Sequence, residues 1–346
     1  MRNEERSLHY GLISKYRPVL MSVAILLIMF CHLDTAQNHN DADHTRLAGF
    51  LQTGSVGVDI FLFLSGIGLY FSYTKKPLPY WQFEKKRLLR ILPYYLVIGG
   101  VTLFIRDILI RHAIDSFFRD LFFISWLTRG STIYWYVPAI FFFYLLFPAM
   151  YLFLHRKNQP LLVPVLLGVV WFALAEFLCH VSETINHFRI ALERLPIFVL
   201  GVYMGKAVYE KKAIRSTRYI YIFTGFLMLS LQKRVLPHSL VSILHYPIRA
   251  SLAISIISVV ILFMELLENK TPKLYTVISK ALGCYGALTY ELYLLHQSFM
   301  ILFDYPYELH AYLLVAVVLP SLAAAVIWWA RKKLKQRKHH ESIQHL

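Results

Sequence analysis

The chain has 346 residues and is both apolar and basic: 57% of its residues are hydrophobic, only 16% are charged, and its formal net charge is +16. Soluble chains are typically about 45–50% apolar and about a quarter charged. The 25 Phe, 23 Tyr and 6 Trp residues exclude intrinsic disorder. A soluble fold is excluded too, because a chain of this size cannot hide so much apolar surface from water. The composition therefore predicts a polytopic membrane protein.

Apolar runs separated by Lys and Arg follow one another along the sequence. Each run, in some cases with its flanks, is long enough for a helix of about 20 residues that crosses a bilayer. Helices are required, since lipid offers no partner for backbone polar groups. The sequence therefore predicts an all-α, polytopic transmembrane helix bundle with about ten spans. The predicted spans are 18–33, 56–73, 88–110, 134–154, 161–178, 195–208, 219–231, 240–264, 282–303 and 312–330.

The distribution of the 36 Lys and Arg residues predicts the orientation of the bundle. Most of them fall in loops on the side of the N-terminus or in the tail, so the positive-inside rule predicts that both termini are cytoplasmic. We divide the chain into a cytoplasmic N-terminal segment (1–17), a transmembrane domain (18–330) and a basic cytoplasmic tail (331–346). We interpret the tail as an orientation signal that contacts anionic membrane lipids, so the net charge implies no nucleic-acid partner.

Cysteine usage and local motifs exclude several other classes. Cys31, Cys179 and Cys284 all lie in or beside apolar runs. Their odd number and their scatter argue against a disulfide framework or a metal cluster. The sequence has no glycine loop for nucleotide binding and no zinc-type histidine pair on a helix. We therefore expect no metal site.

Function must come from polar groups at membrane depth, because charged side chains there cost at least about 2.5–3.5 kcal/mol each. Histidine is the best candidate for chemistry among them, since its unperturbed pKa lets it accept and return a proton near neutral pH. The others are expected to form interhelical hydrogen bonds or caps unless they share a site with a histidine. The candidates are His32, Asp59, Glu176, Glu193, Arg194, Arg249, Glu291 and His296.

Five sequence blocks occur in a specific order, one of them in the loop after the second span and the others on the second, fourth, sixth and ninth predicted spans. They occupy residues 57–66, 83–95, 134–138 and 194–201, and, in the last block, 282–283 and 290–296. Their order resembles the acyltransferase-3 family of integral membrane acyltransferases, which includes O-acetylases of bacterial surface polysaccharides. The resemblance covers about residues 17 to 330.

The resemblance implies a reaction. Such proteins take an acyl group, usually acetyl from cytoplasmic acetyl-CoA, and deliver it to a hydroxyl of an extracytoplasmic sugar or glycan acceptor, so we expect a multi-pass protein of the cell membrane. Arg87 and Arg90 match the arginine pair of the family. Their spacing of three places both guanidiniums on one helix face, and arginine forks match the phosphates of coenzyme A. We therefore expect them to bind the acyl-CoA donor.

The first span departs from the family at one position. The family carries an arginine, ten residues and then a histidine; His32 matches the histidine, but Met21 stands at the arginine position. Arg17 is the nearest cation, one turn earlier and about 22 Å from His32 along a helix, against about 16 Å for the usual spacing. Arg17 can substitute only by reaching inward.

His32 is the predicted catalytic residue, either as general base on the acceptor hydroxyl or as the group that first accepts the acyl group. A hydroxyl is a poor nucleophile at neutral pH, so one positioned base is the minimum requirement. Asp59 and Glu193 are the further predicted catalytic residues, which are expected to orient the imidazole or to hold sugar hydroxyls.

Aromatic residues and a second histidine complete the predicted substrate site. Trp135 and Tyr136 are expected to stack on a sugar, although the aromatic belt of a membrane interface has the same composition. His296, together with Tyr290, is expected to line the site. The acceptor stays open between exopolysaccharide, wall or envelope glycan, and a small glycoside or lipid-linked sugar. Acetyl and succinyl are both compatible with the sequence.

Two other interpretations compete with an active acyltransferase. A ten-span bundle with polar groups at its centre is also typical of a transporter or flippase of a sugar-linked substrate, although the first five and last five spans show no convincing match. Met21 in place of the family arginine is compatible with an inactive family member that keeps a binding role.

Overall fold

Helices make up nearly all the regular structure in the computed structural model, which describes residues 9–37, 53–130, 132–156, 160–213, 238–304 and 308–344. Within these ranges the one β contact is an isolated antiparallel bridge between His9 and Ala213. The predicted all-α fold is confirmed. The predicted span 219–231 lies outside the described residues.

Seventeen α-helices are described, and four short turns of other types join or extend them. The helices are α1 (Gly11–Lys15), α2 (Arg17–Gln37), α3 (Val56–Lys75), α4 (Tyr80–Tyr94), α5 (Gly100–Leu103), α6 (Ile114–Leu121), α7 (Ile124–Arg129), α8 (Tyr136–Arg156), α9 (Leu162–Val181), α10 (Glu183–Asn186), α11 (Arg189–Leu192), α12 (Leu195–Tyr209), α13 (His238–Lys270), α14 (Pro272–Gly286), α15 (Thr289–Leu302), α16 (Leu309–Tyr312) and α17 (Leu319–Gln344). The other turns are the 3-10 turn Thr53–Ser55 and the π-helical segments Tyr95–Gly99, Phe104–Ile110 and Leu313–Val318.

Several helical runs are long and apolar enough to cross a membrane, which supports a multi-pass membrane protein. In the described part of the chain there are six: Thr53–Lys75, Tyr80–Ile110, Tyr136–His155, Leu162–Val181, Pro247–Lys270 and Leu309–Lys333. In the same residues, Arg17–His32 of α2 is a shorter apolar helix. The total of about ten spans and the cytoplasmic position of both termini stay predictions.

Apolar side chains cover the outer surface of the bundle. On α9, Leu166, Val170 and Phe177 share one face and are each more than half exposed. Leu322 and Val326 of α17 form a similar exposed face. Continuous apolar faces of this kind are disfavoured in water and favoured against lipid, so they agree with a membrane environment.

The block 83–95, which the sequence pattern places in a loop, lies in a helix. Helix α4 begins after Pro79, and its buried residues Phe83, Arg87 and Ile91 recur every four positions, so they form one inward face. Pro93 lies inside this helix and lacks the backbone N–H that a regular helix needs. The following π-helical segment continues the helical run without a loop.

The predicted span 282–303 combines parts of two helices. Helix α14 ends at Gly286, where an added Cβ would lie 1.9 Å from the carbonyl oxygen of Pro18. Ser22 Oγ donates a hydrogen bond to the carbonyl oxygen of Leu282, which fixes α14 against the start of α2. The chain then turns into α15, which runs beside α2 and carries His296.

Helix α3 is the centre of the bundle and packs between α2 and α12. An added Cβ at Gly66 would lie 2.6 Å from the carbonyl oxygen of Phe198, and one at Gly201 would lie 2.2 Å from that of Phe63. Only glycine permits this approach of two helix backbones, which is a common way for membrane helices to pack. The tight contact explains why blocks 57–66 and 194–201 both contain glycine, and it fixes α3 as the frame of the site.

Candidate active site

Two histidines that are far apart in the sequence meet inside the bundle. The ring centroids of His32 on α2 and His296 on α15 are 5.7 Å apart. The amide nitrogen of Gln297 lies 2.9 Å from His32 Nε2 and 3.1 Å from His296 Nε2. His296 is fully buried, whereas His32 is half-buried. One glutamine side chain therefore joins the two imidazoles.

Hydrogen bonding assigns the protons in this cluster. His296 Nδ1 lies 2.9 Å from the carbonyl oxygen of Leu292, which can only accept, so Nδ1 carries the hydrogen. A neutral His296 then accepts at Nε2 from the amide of Gln297. With the amide reversed, Nε2 would also need a hydrogen, and a fully buried His296 would be a cation with no carboxylate among its described contacts. Gln297 therefore donates one amide hydrogen to each imidazole.

Tyrosines form the wall beside His296. The ring of Tyr293 lies 5.7 Å from that of His296 and 5.4 Å from that of Tyr136. The hydroxyl of Tyr134 is 2.8 Å from that of Ser298. The hydroxyl of Tyr293 is buried and has no hydrogen-bond acceptor among the described residues. A hydroxyl with an available hydrogen therefore lies close to the histidine pair.

Asp59 belongs to a buried ion network. It accepts hydrogen bonds from Nε, at 3.2 Å, and Nη2 of Arg249, and Arg194 Nε lies 3.9 Å from its other oxygen. The guanidinium of Arg194 lies 5.1 Å above the ring of Trp135. The described contacts of His32 are with Gln297 and His296, so the structure brings Asp59 together with Trp135 rather than with the imidazole.

Glu193 lies next to the same network, at the start of α12. Its carboxylate is buried and lies 2.9 Å from Nε of Arg189, and Nη2 of Arg189 is 2.5 Å from Glu176. Two acidic groups therefore share one arginine at the end of α9 and the start of α12. Glu176 on α9 therefore forms an ion pair between helices, whereas Glu193 pairs with Arg189 across one turn at the end of α11.

Tyr290 lies away from the histidines, toward the opposite end of α15. Its hydroxyl donates a hydrogen bond at 3.2 Å to the carbonyl oxygen of Ile91 on α4. The neighbouring Glu291 is buried and forms an ion pair with Arg331 of α17. Six residues of helix separate Tyr290 from His296, which corresponds to about 9 Å. The structure therefore places Tyr290 at the junction of α15 with α4.

The predicted arginine pair lies on α4, with one member buried and one exposed. Arg87 is buried, its Nη2 donates a hydrogen bond at 2.8 Å to Ser72 Oγ, and its guanidinium lies 5.2 Å from the centre of the Phe83 ring. Arg90 is exposed. The contact with Ser72 fixes α4 against the central helix α3.

Arg17 reaches inward from α2 and joins this pair. An added Cβ at Gly68 of α3 would lie 3.1 Å from its Nη2 and 3.5 Å from its Cζ, so the missing side chain of Gly68 leaves room for the guanidinium. Arg17, Arg87 and Arg90 all interact electrostatically with the hydroxyl of Tyr144 on α8. Arg17 therefore brings a guanidinium against α3 from a position one turn before Met21.

The charges of this arginine cluster do not balance. Among the described residues, Glu84 is the one carboxylate within electrostatic range of Arg87, and none lies within that range of Arg17. The Nε atoms of Arg17 and Arg87 are buried and have no hydrogen-bond partner in the described part of the chain. Three cations near one carboxylate are costly where they leave water, and Arg87 is buried and Arg17 half-buried, so the cluster is expected to bind an anion.

The arginine cluster and the histidine pair lie at opposite ends of one helix. Arg17 opens α2 and His32 lies fifteen residues further on, at about 22 Å. A separate cleft between α3, α8 and α12 is lined by residues such as Tyr70, His155 and Lys206 and includes neither group. No group of three His, Cys, Asp or Glu side chains suitable for a metal ion occurs in the described residues.

The fold and the site define a polytopic membrane protein with a polar interior. A family model described as an acyltransferase domain matches residues 20–330, so the chain belongs to the acyltransferase-3 family. The resemblance seen in the five sequence blocks is confirmed, and membership indicates that the protein is a membrane acyltransferase. Comparisons with curated proteins and with solved structures give no significant match.

Sequence reasoning missed Gln297, Tyr293 and Gly68 as parts of the site. Gln297 had a detectable signal, because it is an uncharged polar residue at membrane depth directly after His296. Gly68 had none, because its role depends on a guanidinium that reaches it from another helix. Tyr293 lies three residues before His296 in the sequence, but that its hydroxyl hydrogen has no acceptor among the described residues is visible only in the packed structure.

Proposed function

We propose that the protein transfers an acyl group, acetyl in the simplest case, from cytoplasmic acyl-CoA to a hydroxyl of an extracytoplasmic sugar or glycan. The observation that carries the proposal is the pairing of an unbalanced arginine cluster with a neutral histidine pair along one helix. The first is suited to a phosphorylated donor and the second to a proton transfer. The fifteen residues between Arg17 and His32 on α2 separate the two functions.

The donor binds through its phosphates. Coenzyme A carries a 3′-phosphate and a pyrophosphate, and Arg17, Arg87 and Arg90 supply three guanidiniums for them. The unpartnered Nε atoms of Arg17 and Arg87 are donors that an anion can satisfy. The position of Arg17 against Gly68 compensates for Met21, which favours an active enzyme over an inactive relative.

His32 serves as the general base. The acceptor hydroxyl attacks the thioester carbonyl and its proton moves to His32 Nε2; the new C–O bond forms, the C–S bond breaks, and the proton passes to the departing thiolate of coenzyme A. Tyr293 donates its free hydroxyl hydrogen to the oxyanion of the tetrahedral intermediate. His296 holds Gln297 in place.

The acceptor sugar is held by aromatic residues near the histidine pair. Trp135 offers a ring whose position is fixed by Arg194, and Arg194 is in turn held by Asp59. Glu193 anchors the same region through Arg189. In this proposal Asp59 and Glu193 position the sugar platform, and Tyr136 contributes the ring that packs on Tyr293.

The membrane is the cell membrane, with the arginine cluster toward the cytoplasm. At the end of the candidate span Leu309–Lys333, Lys332 lies 5.3 Å from the ring of Trp328 and Lys333 lies 3.8 Å from that of Trp329. Tryptophan and lysine together are typical of a bilayer interface, and the lysines are suited to anionic lipids on the cytoplasmic side. The positive-inside bias of the loops supports the same orientation.

The test combines donor binding with product analysis. Purified protein in nanodiscs is titrated with acetyl-CoA, and we expect Arg90→Gln to weaken binding about tenfold or more, since one charge-assisted hydrogen bond is lost. Arg111→Gln, at an exposed arginine outside the cluster, is the matched control. Mass spectrometry of surface glycans from cells that produce wild type or His32→Ala then identifies the acceptor. Equal acetyl-CoA affinity of all three proteins, or equal glycan acylation by both cell lines, contradicts the proposal.

A further inference from the structure

The lone pair that His32 needs as a base is occupied. A neutral imidazole has one acceptor nitrogen, and in His32 that nitrogen, Nε2, lies 2.9 Å from the amide nitrogen of Gln297. Because Nδ1 of His296 carries the hydrogen, the amide group of Gln297 must donate one hydrogen to Nε2 of His296 and the other to Nε2 of His32. His32 therefore cannot accept a proton at Nε2 until the hydrogen bond from Gln297 is broken.

Gln297 keeps a partner when it releases His32. Its amide has two hydrogens, and the second is bound to Nε2 of His296, which is itself held by the carbonyl oxygen of Leu292. Only one hydrogen bond has to be exchanged, and the amide remains anchored during the exchange. The arrangement thus has two states that differ by one hydrogen bond at His32.

We propose that Gln297 is a latch on the catalytic base: it caps Nε2 of His32 while no acceptor is bound, and an acceptor hydroxyl replaces it. The inference rests on the proposed function, in which His32 is the general base. Its role is to protect the donor. An acyl-CoA thioester held next to an uncapped imidazole would lose its acyl group to water.

The two competing reactions differ only in the nucleophile. In transfer, the acceptor oxygen bonds to the acyl carbon, the C–S bond breaks, and the hydroxyl proton passes through His32 to the thiolate of coenzyme A. In hydrolysis, a water oxygen takes the place of the acceptor oxygen, and free carboxylic acid and coenzyme A are released. A bound sugar brings the additional contacts of its ring and other hydroxyls, so it can displace Gln297 more readily than a single water can.

The inference is tested by measuring the release of coenzyme A from acetyl-CoA by the full-length protein in nanodiscs without any acceptor. Gln297→Met keeps the length and volume of the side chain but removes the donor, and we expect release to rise about fivefold, which corresponds to one net hydrogen bond. Loss of a merely structural contact would not increase a rate. Addition of His32→Ala to Gln297→Met should abolish the gain, because the uncapped imidazole is the cause.

The matched control is Thr102→Val, which also removes a buried polar group by a near-isosteric change. Among the described residues, the Thr102 hydroxyl bonds only the carbonyl oxygen of Ile98, at 2.8 Å. This control should release coenzyme A at the wild-type rate. If Gln297→Met binds acetyl-CoA normally but releases coenzyme A no faster than wild type, or if its gain persists without His32, the latch is wrong. If wild type and Gln297→Met both fail to bind acetyl-CoA, the proposed function itself fails, and the latch fails with it.

Discussion

The guanidinium of Arg17 on α2 lies against Gly68 on α3, where an added Cβ would come within 3.1 Å of its Nη2. The contact brings a cation into the interior from a position one turn before Met21, where the family has its arginine. It also links two features that are separate in the sequence, an arginine at the edge of the first span and a glycine in the middle of the second.

Gly68→Val should displace Arg17 and weaken acetyl-CoA binding by about tenfold or more, the value of one charge-assisted hydrogen bond. The new side chain would fill the space that the guanidinium uses. Gly283→Val is the matched control, because no atom lies within 4 Å of the Cβ position at Gly283. Calorimetric titration of both variants with acetyl-CoA gives the comparison. Equal affinities would show that Arg17 does not contribute to donor binding.

Moving the arginine from position 17 to position 21 should restore the acetyl-CoA affinity that is lost when Arg17 is replaced. Arg17→Met is expected to lower acetyl-CoA affinity at least about tenfold. Residue 21 lies one turn further along the same helix face, so Arg17→Met combined with Met21→Arg should recover most of the affinity. The measurement is the same titration. A double variant no better than Arg17→Met would show that the position of the arginine, and not only its charge, matters in this chain.

Tyr293→Phe should separate catalysis from stability. The Tyr293 hydroxyl hydrogen is buried without an acceptor in the described residues, so its removal should leave the free energy of unfolding unchanged or raise it. Loss of an oxyanion donor should lower kcat about 100-fold. Both quantities are measured on purified enzyme once the glycan comparison has identified an acceptor.

The contrasting variant is Tyr95→Phe. The Tyr95 hydroxyl donates to the carbonyl oxygens of Asp120 and Leu121, at 3.2 Å and 3.0 Å, and it has no role in the proposed chemistry. It should lose about 1 kcal/mol of stability while kcat stays at the wild-type value. An unchanged kcat in Tyr293→Phe would refute the proposed oxyanion donor.

Asp59→Asn should destabilise the bundle, because it leaves Arg249 and Arg194 buried without their carboxylate. Breaking a buried ion pair costs about 3–5 kcal/mol, whereas its replacement by apolar residues is often neutral. Asp59→Leu combined with Arg249→Leu should therefore unfold at a higher temperature than Asp59→Asn in the same detergent. If Asp59→Asn unfolds like wild type, the network does not hold the bundle together.

Sequence patterns correctly predicted the helical fold and the family, because these follow from composition, period and local blocks; the roles of the candidate site residues stay predictions. The patterns did not predict which side chains contact one another across the bundle. Asp59 and Arg249 are 190 positions apart, and their pairing depends on how α13 packs against α3. His32 and His296 meet only because the turn after Gly286 directs α15 along α2.

Helix ends were the weakest part of the prediction, for local reasons. The span predicted at 88–110 begins too late, because helix α4 already starts at Tyr80. The first turns of α4 contain exposed Trp81 and charged residues as well as one buried face, so they do not form an apolar run. The span predicted at 282–303 was not divided into two helices, because the turn that separates α14 from α15 consists of apolar Ala287 and Leu288.

Helix α2 has a consequence for which acyl groups the enzyme accepts. A thioester carbonyl lies at the same distance from the phosphates of coenzyme A whatever the length of its acyl chain. In the proposed function, Arg17 near one end of α2 binds those phosphates and His32, fifteen residues later, meets the carbonyl, so the helix matches that constant distance. Donors with longer chains would therefore present the same carbonyl to His32 and differ only in how far the chain extends past it. The residues beyond His32 would therefore decide which acyl-chain lengths are accepted. The length of α2 would set only the fit of the coenzyme.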